Sequence, residues 1–212
     1  MDDQDSRMSS EHHVLMVEGQ DDKHVVSHIC QRYSYKSPFI SDKDDVNQLL
    51  ESISTELKAP GRKAVGILVD ANDDLQARWT SIKDRLSKVD IIIPKSPDPD
   101  GTIIEDTEDL PRVGIWLMPD NESQGYLEHF IEKMIPANDS VWPLSQQYIE
   151  GIPQKDRKFT ERRTQKAKIH AWLAAREKPG LFIGTAIKAK ELHTGGELIT
   201  KFSSWLQKLY KL

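Results

Sequence analysis

The chain has 212 residues, 37% of them hydrophobic and 30% charged, with a net charge of -5 and one cysteine. That length buries the core of one ordinary domain. No run approaches the roughly 18 apolar residues of a membrane helix, and a lone cysteine excludes an internal disulfide or a cysteine-rich zinc site. The expected setting is therefore cytoplasmic, with no membrane partner.

In chain order, residues 1–10 are acidic and polar and fit neither a secretory signal nor a transit peptide, so a disordered tail is expected there. The runs His13–Glu18, Ala64–Asp70 and Val113–Met118 are short and almost continuously apolar, as strands buried on both faces of a parallel sheet are. Phe39 and Ile40 mark one more short strand. Helical stretches lie between these runs, near 22–33, 44–58 and 74–87. The first carries Val25, Val26, Ile29, Cys30 and Tyr33 on one stripe. Strands alternating with helices predict an α/β fold with a doubly wound, mostly parallel sheet.

Ile91–Pro94 and Thr102–Ile104 flank a turn at residues 97–101, and together they read as an added hairpin. Beyond Pro136 the pattern is helical, with amphipathic stretches at 160–176 and 196–210. The expected division is an α/β core over 11–136 with a helical C-terminal extension, 137–212, packed on it.

The chemistry is concentrated where strands end. Glu18 closes the first long strand, Asp70 the second, and Asp120 follows the third. The carboxyl ends of parallel strands open onto one crevice, where α/β proteins bind ligands. Asp22, one turn before Val26, and Glu128, three residues before Ile131, are placed to join them. Two carboxylates about 5 Å apart repel by roughly 3 kcal/mol at an effective dielectric near 20. Three such pairs cost on the order of 10 kcal/mol, which rivals the roughly 5–15 kcal/mol stability of a domain. Protons or a cation must compensate, and an all-oxygen donor set selects Mg2+ or Mn2+. Taken singly, any of these acids could equally be a helix cap.

The net charge averages two unlike parts. Residues 151–212 hold 14 Lys and Arg against 5 Asp and Glu, and residues 1–150 hold 15 against 29. Within 155–168 seven basic residues stand against two acidic ones, a surface suited to phosphate backbones or simply to solvent. Arg157, Lys158, Arg162, Arg163 and Lys168 are its candidate nucleic-acid contacts. Arg162, Lys166, Ile169 and Leu173 share one helical face, so Lys166 is expected either to stabilise phosphoryl charge or to form a salt bridge with the acid cluster. His24 and His28 lack the glutamate of a zinc-protease motif, and Cys30 reads as core.

Val17-Glu18-Gly19 with Asp22 four residues after the glutamate, Asp70-Ala71-Asn72, and Leu127-Glu128 resemble the Toprim fold, the metal-binding α/β domain of topoisomerases, primases and related nucleases. The Glu-x-x-x-Asp spacing resembles the overcoming-lysogenization-defect (OLD) nucleases more than the topoisomerases. The whole chain is also similar to a small stand-alone Toprim-like family of unknown function, through Met118-Pro119-Asp120-Asn121 and the stretch Lys166–Ala174. The resemblance spans residues 13–135 and departs from the pattern at Asn72, which stands where an aspartate is usual. It implies a metal-dependent phosphodiesterase acting on DNA or RNA, in which Glu18, Asp22, Asp70, Asn72 and Glu128 hold divalent ions and Asp120 supports them. Glu18 and Lys166 would be its catalytic residues. Two rivals stand beside it: a catalytically weak binding module working with a partner ATPase, and a small-molecule phosphoryl-transfer enzyme.

Overall fold

A computed structural model describes residues 12–212, and the expected tail at 1–10 lies outside the described residues. The strands are β1 (His13–Val17), β2 (Phe39–Asp42), β3 (Ala64–Asp70), β4 (Thr102–Ile104) and β5 (Arg112–Met118). They form one sheet in the order β2-β1-β3-β5-β4, parallel throughout except for β4, which runs antiparallel to β5. The helices are α1 (Gln20–Arg32), α2 (Val46–Leu57), α3 (Leu75–Ser87), α4 (Leu127–Glu132), α5 (Val141–Gly151), α6 (Thr164–Leu173), α7 (Ile183–Lys188) and α8 (Glu197–Tyr210). This is a doubly wound α/β sheet.

The strands are apolar on both faces because each face meets its own helical layer. On one side Leu49, Ile53, Trp79, Ile82 and Leu86 from α2 and α3 pack on Met16, Ile67 and Ile115. On the other, α1, α4, α6, α7 and α8 enclose Leu15, Leu68, Trp116 and Met118. The C-terminal helices therefore complete the second layer. Gly66 and Gly114 face each other in the β3–β5 register and let α8 approach closely. A Cβ at Gly114 would lie 2.5 Å from Leu209 Cδ2, and one at Gly66 2.5 Å from the Tyr210 hydroxyl. That hydroxyl donates to the Val14 carbonyl at 2.8 Å. Gly114→Ala is expected to cost about 1–3 kcal/mol, the usual penalty of overpacking, read as an earlier midpoint in urea denaturation.

One expectation is corrected. Residues 91–94 form no strand, and β4 takes β5 as its antiparallel neighbour, pairing Thr102 with Ile115 and Ile104 with Val113. Ile91 and Ile93 are buried while Ile92 is 86% exposed, so the alternation that looked like a strand is two pegs in the α3-side core. Pro94 has no N–H for a ladder, and its carbonyl accepts from the Trp79 indole at 3.1 Å. Similarly, the helix expected from residue 160 begins as a 3-10 turn at Glu161–Arg163 and becomes α6 at Thr164. No helix among the described residues is long and apolar enough to cross a membrane.

Candidate functional site

Backbone amides at the carboxyl ends of the strands hold the acids in place. Glu18 leaves β1, and its Oε1 accepts from the Asp70 N–H at 2.8 Å, tying the ends of β1 and β3 together. Asp70 Oδ1 accepts in turn from the Leu127 N–H at 2.9 Å, at the start of α4. Asp22, in the first turn of α1, accepts from the Gly19 N–H at 3.2 Å, as the third residue of a capping box does. Asn72, in the left-handed conformation, exchanges two backbone hydrogen bonds with Gly125 (2.9 and 2.8 Å). That stitch brings the loop after β3 to the loop before α4, and so sets Glu128 beside Asp70.

Burial and neighbouring carboxylates act together on Asp22 and Asp70. Asp22 is pushed up to about 7 by burial first, then by the charges of Glu18 and Glu128. Asp70 is raised well above the usual carboxylate range by burial, then by Asp22, Glu18 and Glu128. Glu18 is also raised, by burial, against the opposing pull of the Asp70 N–H, Arg78 and Arg162. Lys166 forms ion pairs here: Nζ lies 2.9 Å from Asp21 and 3.5 Å from Glu128. Burial works against its charge, yet those two acids hold its pKa above the ordinary lysine value. The bridge to the cluster expected for Lys166 is thus present.

Not every expected site residue joins the crevice. Asp120 caps its own turn, accepting from Glu122 N–H (3.1 Å) and Ser123 N–H (2.7 Å). The Asn72 side chain accepts from the Arg162 guanidinium. Arg162 also donates to the Tyr126 hydroxyl at 2.9 Å and lies 5.2 Å from that ring's centre, and the hydroxyl donates to Asp73 at 2.6 Å.

The basic stretch resolves into separate duties. Arg157 holds the carbonyls of Ile152 and Glu150, and Lys168 pairs with Glu150 at 2.6 Å. Lys158 and Arg163 are exposed and make no ion pair among the described residues. Cys30 is buried and its thiol is pushed up to about 11, while His28 hydrogen-bonds Gln31.

The sequence reading missed four participants: Asp21, Asp73, Arg78 and Tyr126. Asp21 had a signal, since it shares the first turn of α1 with Asp22. Arg78, one turn after the Asp74 cap of α3, donates to the Asp70 carbonyl at 3.0 Å. Tyr126 had no signal, because its partners are 36 and 53 residues away.

A hard cation fits the donor chemistry better than the present spacing. The donors are all oxygens, and one oxygen each of Glu18, Asp22 and Asp70 is held by a backbone N–H, which leaves a second for a ligand. Yet among the described residues no three acids, histidines or cysteines are positioned to hold one ion together. Side-chain rotation would be needed. Two grooves flank Arg162, one of about 470 Å3 that includes Glu18 and Arg78, the other of about 530 Å3 that includes Tyr126 and His129. The larger cleft, about 730 Å3, lies at the opposite end of the sheet among His13, Lys63 and Arg112, away from the acids.

A family model described as "Protein of unknown function (DUF3226)" matches residues 12–211. No curated protein and no solved structure matches the chain.

Proposed function

The chain belongs to the DUF3226 family, proteins of unknown function, and from its acidic crevice we propose a Mg2+- or Mn2+-dependent phosphodiester-cleaving nuclease of Toprim type, resembling the OLD nucleases. One observation carries this reading: Glu18, Asp22, Asp70 and Glu128 are gathered at the strand ends, where burial first, and then one another's charge, raise Asp22 and Asp70 above ordinary carboxylates. Such repulsion calls for a counter-cation.

Glu18, Asp22, Asp70 and Glu128 would hold it, and Asn72 would contribute an amide oxygen once Arg162 leaves it. A divalent ion in such a site supplies an activated water and charge stabilisation at the phosphate. Lys166 would neutralise phosphoryl charge after exchanging Asp21 and Glu128 for the substrate. Lys158 and Arg163 are the cations best placed to meet a DNA or RNA backbone without first breaking an ion pair. A cytoplasmic setting suits the single buried thiol.

The second reading is a catalytically weak binding module that works with a partner ATPase. Two contacts favour it: Lys166 is engaged by Asp21 and Glu128, and Asn72 by Arg162, so the chain's own cations occupy the crevice.

The two separate in one experiment. Mn2+ binding by calorimetry, plasmid nicking and RNA cleavage would be compared in the wild type, Asp70→Asn and Lys166→Ala. The nuclease reading expects Asp70→Asn to lose about 100-fold or more in cleavage, beyond the roughly 10–100-fold typical of outer partners. A wild type that neither binds Mn2+ nor cleaves leaves the binding module standing.

A further inference from the structure

Arg162, like Arg78, has no carboxylate within ion-pair range among the described residues. Lys166, Arg157 and Lys168 each have a carboxylate within ion-pair range. Among the described residues Arg162 hydrogen-bonds two neutral groups, the Asn72 amide oxygen and the Tyr126 hydroxyl, and lies over the Tyr126 ring, while its charge also pulls on Glu18. A phosphate offers the guanidinium a charged, bidentate pair of acceptors, which neither a neutral amide oxygen nor a hydroxyl can match. A phosphate arriving here would therefore outcompete both partners.

The segment that carries Arg162 is lightly held. Residues 152–163 connect α5 to α6 through two 3-10 turns, Gln154–Asp156 and Glu161–Arg163, and contain no buried residue. Arg157 ties the segment back to α5, at the Ile152 and Glu150 carbonyls. At its far end Arg162 spans to the loops after β3 and before α4, and its side chain lines both flanking grooves. From Ile169 onward α6 is anchored in the core by Ile169, Trp172 and Leu173.

We infer that residues 152–163 form a strap latched by Arg162. A phosphate of an extended nucleic-acid strand releases it by taking the guanidinium from Asn72 and Tyr126. Release joins the two grooves into one trough that passes Glu18. The inference rests on the nuclease reading for its occupant, while the latch itself stands on contacts within the chain.

Limited trypsin digestion in EDTA tests it, with cleavage after Lys155 and Lys158 followed by mass spectrometry. Those sites remain in Arg162→Gln and in Tyr126→Phe, which removes one latch partner and keeps the ring. Both variants are expected to be cut at least several-fold faster than the wild type, with unchanged thermal midpoints. A mixed-sequence single-stranded 20-mer, DNA or RNA, is expected to bind the wild type in EDTA and to bind Arg162→Gln about tenfold more weakly, and Tyr126→Phe more tightly. Equal cleavage rates in all three proteins overturn the latch, whatever the metal-dependent activity. Faster cleavage of the variants with no oligonucleotide binding by any protein overturns the strand as occupant. Loss of the nuclease reading alone would show differently, as oligonucleotide binding with the expected ranking but no Mn2+ binding and no cleavage.

Discussion

Asp22→Asn is expected to stabilise the metal-free protein at pH 8 by about 3 kcal/mol and to flatten its stability between pH 5 and pH 8. In the unfolded chain Asp22 releases its proton near 3.8, whereas in the folded protein it does so at about 7. Between those values the folded state binds more protons than the unfolded state, so stability falls as pH rises. It is greatest near and below pH 4 as far as this group is concerned, and the full loss is reached above pH 7. A displacement of that size corresponds to at most about 4 kcal/mol. Part of that cost belongs to Asp70 and Glu18, which titrate with Asp22 as a set. Asparagine keeps an oxygen for the Gly19 N–H and removes the charge.

Urea denaturation at pH 5, 6.5 and 8 in EDTA measures this, and a wild type no less stable at pH 8 than at pH 5 would contradict it. Adding 10 mM Mn2+ should close most of the gap. A ligand at about 100 times its Kd adds roughly 2.7 kcal/mol to the state that binds it, and Asp22→Asn would forgo that gain.

Trp205→Ala is expected to cost about 3–5 kcal/mol, the range for deleting a large buried aromatic side chain. The indole lies 5.6 Å, centre to centre, from both Trp116 and Phe202, and Nε1 donates to the Thr102 carbonyl at 3.3 Å. It also fits beneath the turn at Gly101, where a Cβ would come within 2.3 Å of its Cδ1. The substitution thus leaves a cavity between α8 and β5 and removes the side-chain hydrogen bond holding β4. Chemical denaturation gives the cost, and hydrogen exchange should show residues 98–104 losing protection before β1 and β3. Equal protection across all the strands would mean that β4 does not depend on this contact.

The order of strands and helices was legible along the chain because each element carries a local signature. Val65, Ile67, Leu68 and Val69 suit a short strand with both faces covered, and Leu49, Ile53 and Leu57 trace one helical stripe. That Glu18, Asp22, Asp70 and Glu128 share a crevice could also be anticipated, since parallel strands bring their carboxyl ends to one side. Three things were decided only by tertiary structure. Ile91 and Ile93 alternate like a strand, but the open partner for β4 was β5. Asp120 has the same place after its strand as the other acids, yet two nearby amides turn it into a cap. In sequence Arg162 reads as one basic residue among seven and Tyr126 as an ordinary surface residue. Their pairing depends on the Asn72–Gly125 stitch between two distant loops. Periodicity and strand ends are properties of neighbouring residues and survive in one dimension. Which cation meets which partner is set by separations of tens of residues, and only the packed chain closes those distances.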